Sequence, residues 1–237
     1  MRHLHIGGEA IQSAMRMDEP FALELDYTRC MMAFMLFHPA PRRALMIGLG
    51  GGSLAKYFHR HLHGLRTHVL ETDERVIAAA RSLFHVPADD ARLKIEHGDG
   101  VQALAPECCD LLVVDGFDDE ATPPALVSQA FFDAAWGALE EPGAMVVNFM
   151  DDDPNLDRNL QRIEHAFAGA AIALPALGDP NVIVIGLKGA PRSYRWDELR
   201  ARAVALEKRH RMPFGRYVER LRRMNRCTRE ALQAGTE

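Results

Sequence analysis

The feature that most constrains the fold is a glycine-rich stretch that separates a short apolar run from an amphipathic segment. The apolar run, residues 44–47, leads into four glycines, which are Gly48, Gly50, Gly51 and Gly52. The pattern predicts a buried strand followed by a tight turn, in which glycine lets the backbone approach a ligand closely. From Ser53 the apolar residues have helical spacing. The turn therefore opens a helix whose free N–H groups face a ligand, as in nucleotide sites.

An acidic residue follows at a distance that is typical of nucleoside sites. Residues 67–71 predict a second strand, and it ends in Glu71, 23 residues after Gly48. That separation suits a carboxylate that accepts hydrogen bonds from ribose hydroxyls. The dinucleotide pattern requires glycine where this chain has Ser53, so a nicotinamide or flavin cofactor is less favoured. The alternative is that the glycines serve only a tight turn.

Length and composition describe an ordinary globular chain. The 237 residues are 48% hydrophobic and 26% charged, which favours one main domain with a full core. No apolar run approaches the roughly 18 residues of a membrane span, and the N-terminus lacks a secretory signal, so we expect a cytoplasmic protein without a membrane segment. The four cysteines lack C-x-x-C spacing, which favours reduced thiols.

The charges are distributed unevenly along the chain. Residues 1–190 contain 15 Lys and Arg against 27 Asp and Glu, whereas residues 191–237 contain 13 against 6. An acidic body attracts a cationic substrate. A basic helical tail with interspersed acids is more often a solvated or packed face than a nucleic-acid surface, so we expect no nucleic-acid partner.

Apolar runs alternate with helical patterns through most of the chain. The seven predicted strands are residues 44–47, 67–71, 93–97, 110–115, 144–149, 171–174 and 182–187. This alternation predicts an α/β fold with a doubly wound, mostly parallel seven-stranded sheet. Before it, residues 3–13 predict a short β-hairpin that turns at Gly7 and Gly8, and residues 21–37 predict a helix. From Ser193 onward the pattern predicts a helical tail.

The same patterns divide the chain into three parts. We expect an N-terminal hairpin and helix over residues 1–38 and a Rossmann-like catalytic domain over residues 39–190. A basic helical extension is expected over residues 191–237.

Carboxylates follow four successive strands of the predicted sheet. They are Glu71, Asp99, Asp115 with Asp118, and Asp151 to Asp153. Because ligands of open α/β sheets lie beyond the carboxyl ends of the strands, these acids predict a negatively charged site. The alternative is helix capping, which accounts well for Asp73. Capping fits Asp115 poorly, since no helix is predicted directly after it.

An acidic pocket beside a nucleoside site suggests transfer chemistry on a cationic amine. An ammonium group has a pKa near ~10 and must lose a proton before it can attack, and a carboxylate can hold it and accept that proton. No Ser–His–Asp or Cys–His spacing indicates acyl transfer. His59 and His63 are one helical turn apart, but they precede Gly64 at a helix C-terminus, where histidine is favoured by the helix dipole. We therefore expect no metal.

Together these motifs resemble the spermidine synthase (polyamine aminopropyltransferase) family, which has the S-adenosylmethionine methyltransferase fold. The resemblance runs from about Gly7 to Leu187. Residues 47–53 resemble the family's I-G-G-G-D-G-G loop, residues 70–73 resemble V-E-I-D, residues 98–100 resemble G-D-A/G, and residues 114–118 resemble V-D-S-S-D. Gln12-Ser13 and Asp18-Glu19 resemble the family's N-terminal Q-S…D-E segment.

The resemblance implies a role for each matched residue. The nucleoside of decarboxylated S-adenosylmethionine, or of S-adenosylmethionine itself, would be held by Gly48, Gly50, Gly51, Gly52, Glu71, Asp73, Asp99 and Gly100. Asp115 would be the base that acts on the attacking amine, and Asp118 would anchor that substrate together with Gln12. Asp119, which departs from the family pattern, is a further candidate for binding the substrate. The implied reaction is SN2 attack of a small, putrescine-like amine on the aminopropyl carbon, which releases methylthioadenosine. The family's self-association through N-terminal strands implies a homodimer.

The departures from the family pattern lie mostly in the half that would bind the amine. The acid of the family's glycine loop is Gly51 here, and the Y-H-E segment is not recognisable in residues 21–27. Asp119 replaces a proline, and Asn148 replaces the glutamine that ends strand five. Aminopropyl transfer is therefore our first hypothesis, methyl transfer from S-adenosylmethionine is the second, and a non-catalytic adenosyl-binding regulatory protein is the third.

Overall fold

The computed structural model describes residues 1–5, 11–116, 123–191 and 193–235. Its strands are β1 (Arg2–Leu4), β2 (Ser13–Met15), β3 (Arg43–Ile47), β4 (Arg66–Glu71), β5 (Leu93–His97), β6 (Cys109–Val114), β7 (Leu139–Met150), β8 (Ala171–Pro175), β9 (Asn181–Lys188), β10 (Ser193–Arg195) and β11 (Ala231–Gln233). Its α-helices are α1 (Asp26–Met31), α2 (Ser53–His61), α3 (Glu74–Leu83), α4 (Gln129–Ala138), α5 (Leu156–Ala166), α6 (Trp196–His210) and α7 (Phe214–Arg220). Three 3-10 segments complete the described structure: Met32–Leu36, Pro124–Val127 and Leu221–Arg223.

Seven strands form one sheet in the order β5-β4-β3-β6-β7-β9-β8. All pairs from β5 to β7 are parallel, whereas β9 is antiparallel to both β7 and β8. The predicted seven-stranded, mostly parallel sheet is therefore confirmed. The chain runs outward from β3 to β5 and then crosses to β6, so the strand order reverses between β3 and β6. Open α/β sheets bind ligands at such a switch point.

Successive side chains of the strands enter two separate hydrophobic cores. In β3, Ala44 and Met46 pack in the first core, whereas Leu45 and Ile47 pack in the second. The first core also contains side chains of α2, α3, α6 and α7, and the second contains those of α4 and α5. Helices therefore cover both faces of the sheet, which explains why its central strands β6 and β9 are buried at every position.

The N-terminal part differs in detail from the prediction. The expected hairpin is present as the antiparallel pair β1–β2, while its turn at Gly7 and Gly8 lies outside the described residues. The helix predicted over residues 21–37 is shorter, because α1 begins only at Asp26 and gives way to a 3-10 segment after Met31. The backbone N–H of Tyr27, in the first turn of α1, donates to the Asp179 carboxylate at 2.8 Å. A side chain distant in sequence thus caps this helix.

The C-terminal extension is helical, as predicted, but two short strands close it. Strand β10 pairs with β11, so the extension begins and ends at the same place, with α6 and α7 between them. Strands of three residues are too short for a period-two pattern to be visible in the sequence. Among the described helices, none is both long enough and apolar enough to cross a membrane.

Candidate active site

The carboxyl ends of β5, β4, β3 and β6 are joined side by side by backbone hydrogen bonds. The Gly98 N–H donates to the Glu71 carbonyl at 3.0 Å, and the Asp115 N–H donates to the Ile47 carbonyl at 2.9 Å. Between them, the Gly48 N–H donates across to β4 at 2.9 Å. The structure therefore brings three predicted features to one rim of the sheet: the acid after β4, the glycine turn after β3 and the acid after β6.

The Glu71 carboxylate is held by two backbone N–H groups. Its Oε2 accepts from Leu49 at 2.9 Å, and its Oε1 accepts from Asp73 at 3.1 Å. These bonds fix the carboxylate between the glycine turn and the start of α3. The Thr72 hydroxyl also lies 3.5 Å from Oε1. Because each carboxylate oxygen can accept two hydrogen bonds, Oε2 can still receive a ligand hydroxyl.

The glycine turn packs so closely that side chains are excluded from it. Gly48 has φ +95, and a Cβ there would lie 2.3 Å from the Asp115 carbonyl oxygen. A Cβ on Gly51 would lie 2.8 Å from Ser13 Cβ and 2.9 Å from Phe84 Cδ1. The Gly51 N–H donates to Ser13 Oγ at 2.8 Å. The position where the resembling family has an acid is therefore closed by β2 and by Phe84.

Asp73 and Asp99 use their side chains mainly to order the local backbone. The Asp73 carboxylate accepts from the Arg75 N–H at 2.8 Å and pairs with its guanidinium, and these bonds lower the pKa of Asp73 to about 2. Asp73 thus caps α3, as expected, and its own N–H orients Glu71. Asp99 is exposed and accepts from the Val101 N–H at 2.9 Å. A Cβ on Gly100 would lie 2.6 Å from the Ile47 side chain, so the segment after β5 approaches β3 closely.

Asp115 lies in a polar cluster at the end of β6. Its Oδ1 accepts from Asn148 Nδ2 at 3.0 Å, and its Oδ2 lies 3.4 Å from the Tyr27 hydroxyl. The same hydroxyl lies 3.2 Å from the backbone carbonyl of Gln12. Burial raises the pKa of Asp115 to about 6, and the hydrogen bonds from Asn148 and Tyr27 limit that rise. The residue still keeps some surface accessible, as a group that meets a substrate must.

Two members of this cluster were not predicted. Tyr27 belongs to the segment in which the family's Y-H-E is not recognisable, yet its hydroxyl contacts Asp115. The only signal available for Tyr27 in the sequence was its place in the segment that corresponds to Y-H-E. The second is Asn181 of β9, whose side-chain Nδ2 donates to Asn148 Oδ1 on the side away from Asp115. No local pattern marks Asn181, because its contact depends on the register between β7 and β9. Two predicted residues, Asp118 and Asp119, lie outside the described residues.

Four of the described histidines each lie within 4.0 Å of a carboxylate. Within the described ranges, no three His, Cys, Asp or Glu side chains come close enough to hold a metal ion. Of the histidine pair noted in the sequence, His59 Nε2 lies 2.9 Å from Asp90 Oδ2. His59 thus connects the end of α2 to the loop before β5.

These features define a Rossmann-like, nucleoside-binding class of protein. They are the doubly wound sheet, the glycine turn, the backbone-held acid after the next strand and the half-buried carboxylate at the switch point. The family model described as "Spermine/spermidine synthase domain" matches residues 24–171. The chain belongs to this family, as its motifs indicated.

Known proteins that resemble the chain agree with that assignment. It is 36% identical over 230 residues to the polyamine aminopropyltransferase of Chromobacterium violaceum, covering 96% of this chain and 88% of the relative. Human methyltransferase-like protein 13, solved in complex with SAH, superposes with a TM-score of 0.71 at 25% identity, covering 80% of this chain and 94% of that one. A probable spermidine synthase from Corynebacterium glutamicum has a TM-score of 0.66 at 24% identity, covering 79% and 73%, and shows the shared fold. The Rossmann-like methyltransferase fold is therefore confirmed.

Proposed function

We propose that this protein transfers an aminopropyl group from decarboxylated S-adenosylmethionine to a small cationic amine. The observation that carries the proposal is Asp115, a half-buried carboxylate beside the glycine turn. Asn148 Nδ2 donates to one of its oxygens at 3.0 Å, and the Tyr27 hydroxyl lies 3.4 Å from the other. Family membership and the identity to a polyamine aminopropyltransferase support the same reaction. They do not favour methyl transfer, the second hypothesis, or the absence of catalysis.

In this proposal the nucleoside occupies the rim between β5 and β3. The remaining acceptor position of Glu71 suits a ribose hydroxyl, and the turn formed by Gly48, Gly50, Gly51 and Gly52 lies directly beside that carboxylate. Asp99 and Gly100 border the adenine, whereas Asp73 contributes through the N–H that orients Glu71. No metal takes part.

Asp115 acts as the base in this proposal. A carboxyl with a pKa of about 6 is a stronger base than an ordinary carboxyl, and it is still mostly ionised at neutral pH. It accepts the proton of the attacking ammonium, either directly or through water. The freed nitrogen lone pair then forms a bond to the aminopropyl carbon while the carbon–sulfur bond breaks. The electron pair of the broken carbon–sulfur bond stays with the sulfonium sulfur, and methylthioadenosine leaves. Gln12, Asp118 and Asp119 are proposed to hold the rest of the amine.

Ligand preference tests the proposal directly. We expect methylthioadenosine to raise the unfolding temperature more than S-adenosylhomocysteine at equal concentration, because the aminopropyl-transfer product lacks an amino-acid carboxylate. A ligand at ~100 times its Kd stabilises by about 2.7 kcal/mol, which is readily measured as a shifted midpoint. A preference for S-adenosylhomocysteine would change the assignment to methyl transfer, and no shift with either ligand would refute nucleoside binding.

Two variants locate the binding site in the same assay. Glu71→Gln is expected to weaken methylthioadenosine binding about 10–100-fold, because an NH₂ group replaces an oxygen that accepts hydrogen bonds. Glu74→Gln, three residues further on and with its side chain 78% exposed, is the matched control and should bind normally. Equal loss in both variants would remove Glu71 from the site.

Assembly and location are also proposals. A homodimer is supported by the separate β1–β2 sheet, around which Met1, Ile11 and Met17 are 68%, 44% and 50% exposed. Light scattering of the purified protein should give twice the mass of one chain, and Met17→Glu should lower the measured mass toward that of a single chain. A monomeric wild type would contradict this. A cytoplasmic location rests on the family and on the thiols in the described residues, which are unpaired.

A further inference from the structure

Behind Asp115, side chains of two neighbouring strands form a continuous polar chain. Asn148 Nδ2 donates to Asp115 Oδ1 at 3.0 Å, and Asn181 Nδ2 donates to Asn148 Oδ1 at 2.9 Å. The Asn181 amide also lies 3.5 Å from Met150 Sδ. Asn148 is 6% exposed and Asn181 is 7% exposed. Because water is largely excluded from both amides, their hydrogen bonds must be made within the protein.

The register of the sheet brings these groups together. Met150 of β7 pairs with Asn181 of β9, and Asn148 lies two residues before Met150 on the same face. Asn181 is therefore the direct cross-strand neighbour of the thioether and the diagonal neighbour of Asn148, a distance that side chains of this length can bridge.

Donor and acceptor chemistry fixes the direction of the hydrogen bonds between these side chains. A thioether sulfur accepts a hydrogen bond and has no proton to donate, and the same is true of an amide oxygen. The NH₂ group of Asn181 thus serves both Met150 and the Asn148 oxygen. With its oxygen occupied, Asn148 must turn its own NH₂ group toward Asp115. A donor at this position favours the ionised carboxylate.

We propose that Asn181 is a positioning residue for Asp115, because it locks the Asn148 amide in its donor orientation. In this way Asn181 keeps Asp115 in the form that can accept a proton. The catalytic part of the inference rests on the proposed function, whereas the orientation of the amides stands on the geometry alone.

The other titratable groups around Asp115 lie on α1 and on the turn after β8. Among the described residues they are Tyr27, which contacts Asp115, and Asp179, which binds the Tyr27 N–H. Burial, followed by the charge of Asp115, raises the pKa of Tyr27 well above its usual range, so its hydroxyl remains a donor. Neither residue changes in the variants below, so differences between variants report on the amide chain.

The test is a titration of Asp115 in the full-length protein. Protein labelled with ¹³C at aspartate carboxyls is titrated by NMR, and the Asp115 signal is identified by its absence in Asp115→Asn. Asn181→Leu keeps the branching of the side chain at Cγ but removes the orienting donor, and we expect it to raise the measured pKa of Asp115 by about one unit. Asn181→Asp offers only acceptors, so Asn148 turns its oxygen to Asp115, and a larger rise is expected.

Controls separate positioning from general loosening of the core. Ile185→Val trims a buried side chain of the same strand and should leave the Asp115 titration unchanged. If both Asn181 variants titrate as the wild type does, or if Ile185→Val shifts the titration equally, the proposal is overturned.

Kinetics extend the test to catalysis. In the profile of kcat/KM against pH, the acidic limb of each variant should move to higher pH by the same amount as the pKa measured by NMR. The activity of Asn181→Leu should recover at high pH, which a structural defect would not give. A wild type without turnover would refute the proposed function and leave the NMR result standing, so the two failures are distinguishable.

Discussion

Asp115→Asn is expected to lower kcat about 10²–10⁴-fold while methylthioadenosine still binds. The amide keeps the shape of the carboxyl and can still meet Asn148 and Tyr27, but it cannot take a proton from the attacking amine. The measurement is steady-state turnover with decarboxylated S-adenosylmethionine and an amine, combined with the thermal-shift assay. Asp133→Asn, an exposed carboxyl on α4, is the matched control and should keep wild-type turnover. Equal rates for wild type and Asp115→Asn would remove Asp115 as the base.

The same substitution should stabilise the folded protein above pH 6. Burial raises the pKa of Asp115 from 3.8 to about 6, so between these values the folded state binds a proton that the unfolded state releases. The free energy of unfolding therefore falls as pH rises through this window, by at most about 3 kcal/mol. Asparagine avoids this loss. Urea unfolding should show the variant more stable than wild type at pH 8, with the difference shrinking toward pH 4. A pH-independent difference would contradict the raised pKa.

Gly48→Ala is expected to destabilise the fold by roughly 2–5 kcal/mol and to abolish nucleoside binding. The new Cβ would lie 2.3 Å from a backbone oxygen of Asp115, at φ +95, so neither side-chain movement nor a small backbone shift relieves the contact. Denaturant unfolding and the methylthioadenosine shift measure the two effects.

Gly64→Ala provides the comparison for this substitution. No atom lies within 4 Å of a Cβ at Gly64, so a change within about 0.5 kcal/mol is expected. If Gly48→Ala bound methylthioadenosine like Gly64→Ala, the glycine turn could not be the binding loop.

Local patterns in the sequence were enough to predict most of the sheet. The central strands β3 and β6 are buried on both faces, so they appear in the sequence as apolar runs that need no knowledge of their neighbours. The edge strand β5 alternates instead, with Leu93 and Ile95 buried and Lys94 exposed. The glycine turn and Glu71 were found in the same way, since strand, turn and acid are close in sequence. The strands of the C-terminal extension were missed because three residues carry no readable period.

The second half of the site depends on contacts that no local pattern contains. Tyr27 reaches Asp115 from an N-terminal helix that is itself capped by Asp179, 152 residues away. Asn181 joins the cluster only through the register of two antiparallel strands. Gly51 shows the converse case: the sequence revealed that the acid of the family loop is missing, and the structure supplies the reason, since Ser13 and Phe84 fill the space.

The position of β9 has a consequence for how the protein is made on the ribosome. This strand lies between β7 and β8, although it is synthesised after both. When the nascent chain has emerged from the ribosome as far as residue 175, its glycine turn and Glu71 are outside the tunnel, but β7 still has an open edge and β8 lacks the strand with which it pairs. The Asn148 side chain then lacks its hydrogen bond from Asn181, which lies 33 residues downstream. The nucleoside half of the site can thus form during translation, whereas the environment of Asp115 is finished only when β9 enters the sheet.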